Sequence, residues 1–288
     1  MFKEISKQSI LVGENFDTIL EHFNQVDTSS IQVIADFDRT LTYAFNEKGE
    51  FIPSLLAVIR NYGYLSEEYS RKAKELYKKY YPIEQSHELS NEEKIPYLIE
   101  WWEGQSNLLK NENLNLQDLD KIAKSQKIRI RKYTYETFKY LNSLKIPIII
   151  FSASGIGVEL IQRVLEYRDL LFDNVFIISN EFEWDEKGFM IKAKKPFVHS
   201  LNKNEGFIKN KPNIYEKVKD RKNVILIGDS LSDVHMVDGF KYDLLLKIGF
   251  LNFEYSKNIE KFVSYFNYVL LNDQSFKEIE TIIFKICG

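Results

Sequence analysis

Two aspartates one residue apart, Asp36 and Asp38 in DFDRTLT, follow directly on the apolar run Ile31, Val33, Ile34 and Ala35. A second pair, Asp229 and Asp233 in GDSLSD, follows the apolar run Val224 to Ile227. Carboxylates at the ends of buried strands are placed to meet a ligand, because ligands of open α/β sheets bind beyond the carboxyl ends of the strands. The turn Ser152-Ala153-Ser154-Gly155-Ile156-Gly157 follows a third apolar run. It offers a hydroxyl and backbone N–H groups at the head of a helix, which suits an anionic oxygen. Lys203 in LNKNEG is a candidate fixed cation, with Lys209 and Lys211 as near neighbours of the same type. Four acids, a hydroxyl, a lysine and a glycine turn on one edge of one sheet describe a magnesium-dependent phosphate site. Taken singly, each aspartate could be a turn or helix cap and the serine turn an ordinary strand-to-helix connection.

The elements that must hold these groups can be read from apolar patterning. After a lead-in helix, expected up to about Ser30 with Phe16, Ile19, Leu20 and Phe23 on one face, the first strand delivers Asp36. From Ser54 to about Tyr140 no strand-like run occurs. Helices are expected at Glu67 to Tyr81, Glu92 to Trp102, Leu116 to Ser125 and Tyr133 to Leu144. Strands resume at Ile146 to Ser154, Asn174 to Ser179, Asn223 to Ser230 and Asp243 to Gly249, separated by helix-compatible or hairpin stretches, as in a parallel sheet. Phe182 to Ala193 reads as a hairpin turning at Asp185 to Gly188. The expected architecture is an α/β Rossmann-like core, residues 1–54 and 141–288, with a helical domain inserted at 55–140.

Composition narrows the partners. In 288 residues, Lys+Arg 39 against Asp+Glu 42 leave a formal charge of −3, so binding of nucleic acid by bulk electrostatics is not indicated. Lysine clusters such as Lys192 to Lys195 read as solvated faces. The single Cys287 rules out an internal disulfide and fits a reducing compartment. The first residues lack an apolar signal region, and no run approaches the roughly 18 apolar residues of a membrane span, so a cytoplasmic protein without a membrane partner is expected. His22, His87, His199 and His235 show no metal-ligand spacing and read as structural or exposed, and Asp238 reads as a solvated helix-end residue.

DFDRTLT, FSASGIG, NKNEG and GDSLSD, in this order, resemble the four motifs of the haloacid dehalogenase-like phosphohydrolases. YYPIE (Tyr80 to Glu84), EEKIPYLIEWW (Glu92 to Trp102), SNEFEWDEKG, HSLNKNEG and KIGFLN are similar to the cytosolic pyrimidine 5'-nucleotidase family, also called cytosolic 5'-nucleotidase III. The likeness runs from about Ser30 onward, and it selects Lys203 among the neighbouring lysines. It implies a haloacid dehalogenase-type core with a helical cap after the first motif, and a Mg²⁺-dependent nucleotidase; a monomer is expected. Asp36 is then the nucleophile that forms an aspartyl-phosphate, and Asp38 the acid and base. Asp36, the Asp38 carbonyl and Asp229 are then the metal ligands, with Asp233 supporting them from behind. Ser152, the Ala153 amide and Lys203 hold phosphate oxygens, while Thr40 and Thr42 orient the loop.

For the cap, the resemblance implies that Glu84 contacts the nucleotide base; a carboxylate accepts from an exocyclic amine or ring N–H. Tyr80, Tyr81, Trp101 and Trp102 are candidates for a stacking face, of which one or two touch substrate. Gln105 aligns where pyrimidine-preferring relatives carry a small serine, with Ser106 next to it. The Trp101-Trp102 pair resembles the branch that also accepts 7-methylguanosine monophosphate, whose cationic base suits indole. The expected substrate is therefore CMP or UMP, extended to 7-methyl-GMP. Two alternatives are a phosphatase of another small phosphomonoester and a non-catalytic binding protein on the same fold. The intact set Asp36, Asp38, Lys203 and Asp229 argues against the last.

Overall fold

The computed structural model describes residues 3–6, 9–52, 54–86, 88–253 and 255–288, with the backbone alone for 3–6 and 255–258. His87 lies outside the described residues. One sheet has the strand order β1 (Lys3–Ser6), β2 (Ile10–Val12), β10 (Tyr268–Leu271), β9 (Leu244–Leu251), β8 (Asn223–Gly228), β3 (Ile31–Ala35), β4 (Ile148–Phe151), β5 (Val175–Ile178). From β10 to β5 every pair is parallel, and β1 and β2 close one edge antiparallel. The central strands β3, β4 and β8 are buried at every residue, which is why they read as unbroken apolar runs. Gln32 is the exception in β3, and its amide donates to the carbonyls of Val218 and Arg221.

Successive side chains of a strand face opposite ways, so the sheet carries a core on each side. Ile31, Val33, Ala35, Ile148, Ile150, Ile225 and Ile227 belong to one, and Ile34, Ile149, Phe151, Val224 and Leu226 to the other. Strand β4 pairs with one side of β3 and β8 with the other, which makes the end of β3 the switch point where a crevice must open.

Between β3 and β4 the described residues contain only helices: α2 (Leu55–Asn61), α3 (Glu67–Gln85), α4 (Asn91–Asn111), α5 (Leu116–Ala123) and α6 (Thr134–Ser143). Ser66 caps α3 through the Tyr69 N–H, and Ser90 with Glu93 forms a capping box on α4. Helices α3 and α4 pack on each other, while α5 lies on α7 (Val158–Glu166) and α6 on α11 (Lys277–Cys287). The α3–α4 arm has its own small core of Tyr80, Leu98 and Trp101, against which Leu201 of the sheet-side loops packs.

Two expectations need correction. Among the described residues of the lead-in the α-helix is confined to α1 (Phe16–Phe23), with a 3-10 turn at Thr28–Ser30; β1 and β2 precede it, and Ile10–Val12 becomes a strand because β10 pairs with it across the chain. Helix α4 runs past the expected end at Trp102 to Asn111, since nothing between them stops it. The hairpin of β6 (Phe182–Trp184) and β7 (Met190–Ala193) turns as expected, with Asp185 Oδ1 accepting from the Lys187 and Phe189 amides.

Candidate active site

The ends of β3 and β8 bring the acids together. Asp36 still belongs to the ladder, its N–H donating to Ile227 O at 3.0 Å, so its carboxylate leaves the sheet at the crevice. Asp36 Oδ1 accepts from Lys203 Nζ at 2.7 Å, and Lys203 gives a second bond to Asp233 Oδ1 at 2.8 Å. The other oxygen of Asp233 accepts from the N–H groups of Asp229 and Ser230 and from Ser230 Oγ. Asp233 can fold back over the strand end because residue 228 is glycine; a Cβ there would stand 2.5 Å from Asp233 Cβ.

Asp229 is held from two other sides. Its Oδ2 pairs with Arg39 Nε at 3.0 Å, and its Oδ1 has Thr40 Oγ1 at 3.5 Å. Asp38 Oδ1 accepts from the Leu55 N–H at the head of α2, 2.8 Å away. One carboxylate oxygen from each of Asp36, Asp229 and Asp233 lies within 4.8 Å of the others.

The charges in this cluster do not balance. Burial pushes Asp36 above the ordinary carboxylate range against the pull of Lys203. It pushes Asp229 up to about 8 against Arg39, and Asp38 up to about 7 with help from the Asp36 charge. Asp233 goes the other way: burial opposes ionisation, but Lys203 and the Ser230 donors outweigh it and hold the carboxyl low. Lys203, with a side chain only 4% exposed, is kept charged by the same two carboxylates. Several hard oxygen donors converging with too little positive charge fit a divalent cation that prefers oxygen.

The turn expected to meet an anion follows β4. Ser152 is buried and its Oγ accepts from the Ser154 N–H at 3.2 Å; Ala153, half-buried, lies between them. Asn180 ties this turn to the lysine loop, donating to Ser154 O and Val198 O and accepting from the Val198 N–H. Asn202 closes the lysine loop through the His199 N–H and Phe197 O. The result fixes Lys203 against Asp36 although the two are far apart in sequence.

The helical arm reaches the same place. Glu84, in the last turn of α3, accepts from Ser200 Oγ at 2.8 Å. Burial raises its pKa, and the Ser200 bond and the Arg39 charge oppose the rise. The Trp102 ring comes down on Gly155 and stacks on Trp101, which stacks on Tyr80. Tyr80 and Trp101 are buried inside the arm, whereas Tyr81 is exposed and stacks on Tyr77. Gln105 is placed elsewhere: it is buried between α4 and α3, with Nε2 donating to Tyr69 Oη at 2.8 Å.

Three residues outside the expected set belong to this neighbourhood. Arg39, inside the DFDRTLT motif, is the cation beside Asp229; a basic residue flanked by acids was its only signal. Ser200 precedes Lys203 by three residues and gave none. Arg131 grips the loop after Asp36 from a position 91 residues further along the chain from Thr40, a link no local pattern encodes.

Against this geometry stand the known proteins. Residues 39–287 match the family model described as Pyrimidine 5'-nucleotidase (UMPH-1). The chain is 29% identical over 286 residues to the 7-methylguanosine phosphate-specific 5'-nucleotidase of Gallus gallus, covering 98% of each. It superposes on the crystal structure of cytosolic 5'-nucleotidase IIIB bound to cytidine with a TM-score of 0.87 and 28% identity, covering 98% of this chain and 95% of that one. A haloacid dehalogenase family hydrolase of Salmonella enterica shares the fold at a TM-score of 0.53 and 13% identity, over 89% of this chain and 71% of that one.

Proposed function

Because the chain belongs to the pyrimidine 5'-nucleotidase family, we propose that it hydrolyses nucleoside 5'-monophosphates to nucleoside and phosphate. The observation that carries this reading is the convergence of Asp36, Asp229 and Asp233 on one small volume beside Lys203. Mg²⁺ is the proposed cofactor, held by Asp36, the Asp38 carbonyl and Asp229, and it would neutralise the phosphate and the attacking carboxylate.

Lys203 occupies Oδ1 of Asp36 and leaves Oδ2 to attack phosphorus, forming the aspartyl-phosphate. Asp38, raised to about 7, protonates the departing nucleoside oxygen and then takes the proton of the attacking water. Ser152, the Ala153 amide and Lys203 hold phosphate oxygens as charge shifts. Thr40 steadies Asp229, and Asp233 fixes Lys203 and the 229–230 turn.

The helical stretch 55–140 is the proposed cap on a core of 1–54 and 141–288, and the α3–α4 pairing supports an arm that closes on the site. Helices α5 and α6 are seated on core helices. Glu84 and Trp102 are the proposed contacts to the base. A stacked pair of indoles favours a cationic base, so 7-methyl-GMP belongs with CMP and UMP among the substrates. Gln105, through Tyr69, shapes the arm behind them. No described helix is long and apolar enough to cross a membrane, and a cytoplasmic monomer acting on free nucleotides is the proposed setting.

A nucleotide panel with inorganic phosphate detection tests the reading. Phosphate release from CMP, UMP or 7-methyl-GMP that stops with a chelator and returns with Mg²⁺ is expected. Faster release from phosphorylated sugars or amino acids would replace the substrate class, and no release from any phosphomonoester would remove the activity.

A further inference from the structure

The loop that follows Asp36 belongs to no helix or strand from Asp38 to Phe45, yet three consecutive carbonyls in it end on one residue. Arg131 Nη2 donates to Arg39 O at 2.6 Å, Nε to Thr40 O at 2.8 Å, and the Arg131 N–H to Leu41 O at 2.9 Å. The same guanidinium reaches Asn252 Oδ1 and Gln274 O, pairs with Asp273 Oδ1 at 3.0 Å, and lies over the Phe250 ring. Its side chain has no solvent exposure. Asn252 Nδ2 gives Arg39 O a second donor at 3.0 Å, and Asp273 accepts from the Ala44 and Phe45 amides.

We propose that Arg131 is a positioning residue for the reaction, fixing the nucleophile loop and with it the direction of the Asp38 carbonyl and carboxylate. The inference rests on the nucleotidase reading above. The link from clamp to chemistry is the rigid peptide plane. The Arg39 N–H donates to Thr42 Oγ1 at 2.8 Å, so the Asp38 carbonyl of the same planar peptide must point the opposite way. Arg39 itself sits at φ 63, a left-handed conformation that a side chain adopts only when the surroundings impose it. Arg131 and Asn252, by taking its carbonyl, impose it.

Position along the chain gives the clamp a second consequence. Arg131 lies where the helical insertion returns to the core, and its neighbours pair with the outgoing chain, Ile130 bridging Thr42 and Tyr43 N–H donating to Arg129 O. The two ends of the insertion are thus tied to each other and to the loop that carries Asp38. Only a planar fork of five donors meets this set of acceptors; an ammonium on a lysine stem reaches a subset.

The test compares wild type, Arg131→Lys and Asn252→Leu in the full chain by steady-state kinetics, Mg²⁺ calorimetry and thermal unfolding. Arg131→Lys is expected to lose about 100-fold in kcat, the scale of a 1 Å misplacement, with KM within about threefold, and to bind Mg²⁺ about tenfold more weakly. A role in stability alone lowers the unfolding temperature and leaves kcat of the folded protein within about threefold, and that result overturns the proposal. Should Arg131→Lys fail to fold, Asn252→Leu decides: a kcat about tenfold lower at unchanged KM supports the clamp, and an unchanged kcat overturns it. If wild type itself releases no phosphate from nucleotides, the nucleotidase reading fails separately. The clamp then stands or falls on whether Arg131→Lys weakens Mg²⁺ binding.

Discussion

Gly155 offers a sharp steric test of how the helical arm meets the core. It sits in the turn between β4 and α7, and the Trp102 indole rests on it from α4. A Cβ at this position would stand 2.6 Å from Trp102 Cζ3, 2.9 Å from Cε3 and 3.3 Å from Leu56 Cδ2. Gly155 is not among the residues with positive φ, so alanine is allowed there by the backbone and its effect is purely one of space. Carbon atoms pack at about 3.5 to 4.0 Å, which obliges the indole to retreat by about 1 Å. The ring cannot give way alone, because it is stacked on Trp101 at 5.1 Å and Trp101 on Tyr80 at 6.0 Å. The displacement passes to α4 and α3 and opposes closure. Overpacking of this kind costs about 1–3 kcal/mol, which is about a 5- to 150-fold loss of kcat/KM on a nucleotide. Opening the arm relieves the clash, so the unfolding temperature of Gly155→Ala should change little. Adding Trp102→Leu removes the obstacle, and the double variant should be no worse than Trp102→Leu alone. A Gly155→Ala enzyme within twofold of wild type would refute the closed arrangement of arm and core, as would an unchanged loss in the Trp102→Leu background.

Two further predictions follow from groups whose proton affinity the fold has moved. Asp38→Asn should lose about 10²- to 10⁴-fold in kcat/KM on a nucleotide but far less in kcat/KM on p-nitrophenyl phosphate, whose leaving group departs without a proton; equal losses of kcat/KM on both would contradict the acid role. Burial pulls the His199 imidazole from its usual 6.5 down to about 4, so the unfolded chain takes up a proton between these values that the folded chain refuses. Stability is therefore expected to fall as pH drops from about 7 to 5, by about 1 to 2 kcal/mol from this group. His199→Asn keeps an acceptor for the Leu201 N–H but cannot titrate, and urea melts at the two pH values should show a smaller drop; an equal drop would exclude His199 as the source.

The sheet was legible because its strands are buried on both faces. Runs such as Ile31 to Ala35, interrupted only by Gln32, and Val224 to Ile227 are apolar, and an acid that cannot be there for packing stands just beyond each. The edge was not legible: Ile10–Val12 and Tyr268–Leu271 are short, and they become neighbours only by pairing with each other across the whole chain. The same limit applies in the site. Asp36, Asp229 and Lys203 announce themselves by type and by the strand ends they follow, whereas Arg131 looks like any arginine in RIRK until three carbonyls are seen to converge on it. Gln105 shows the opposite case. Its place in an alignment said nothing of its partner, and packing of α3 on α4 gave it the Tyr69 hydroxyl.

Every step of the proposed reaction depends on Asp36 donating the oxygen that bonds phosphorus. Enzyme in excess over a nucleoside monophosphate labelled with radioactive phosphorus, mixed with Mg²⁺ and quenched in acid within one turnover, reports this directly. Label carried by the wild-type chain, released by hydroxylamine as an acyl phosphate must be, and absent from Asp36→Asn is the expected result. Label that never resides on the protein while phosphate is still produced, or label that persists in Asp36→Asn, would contradict it.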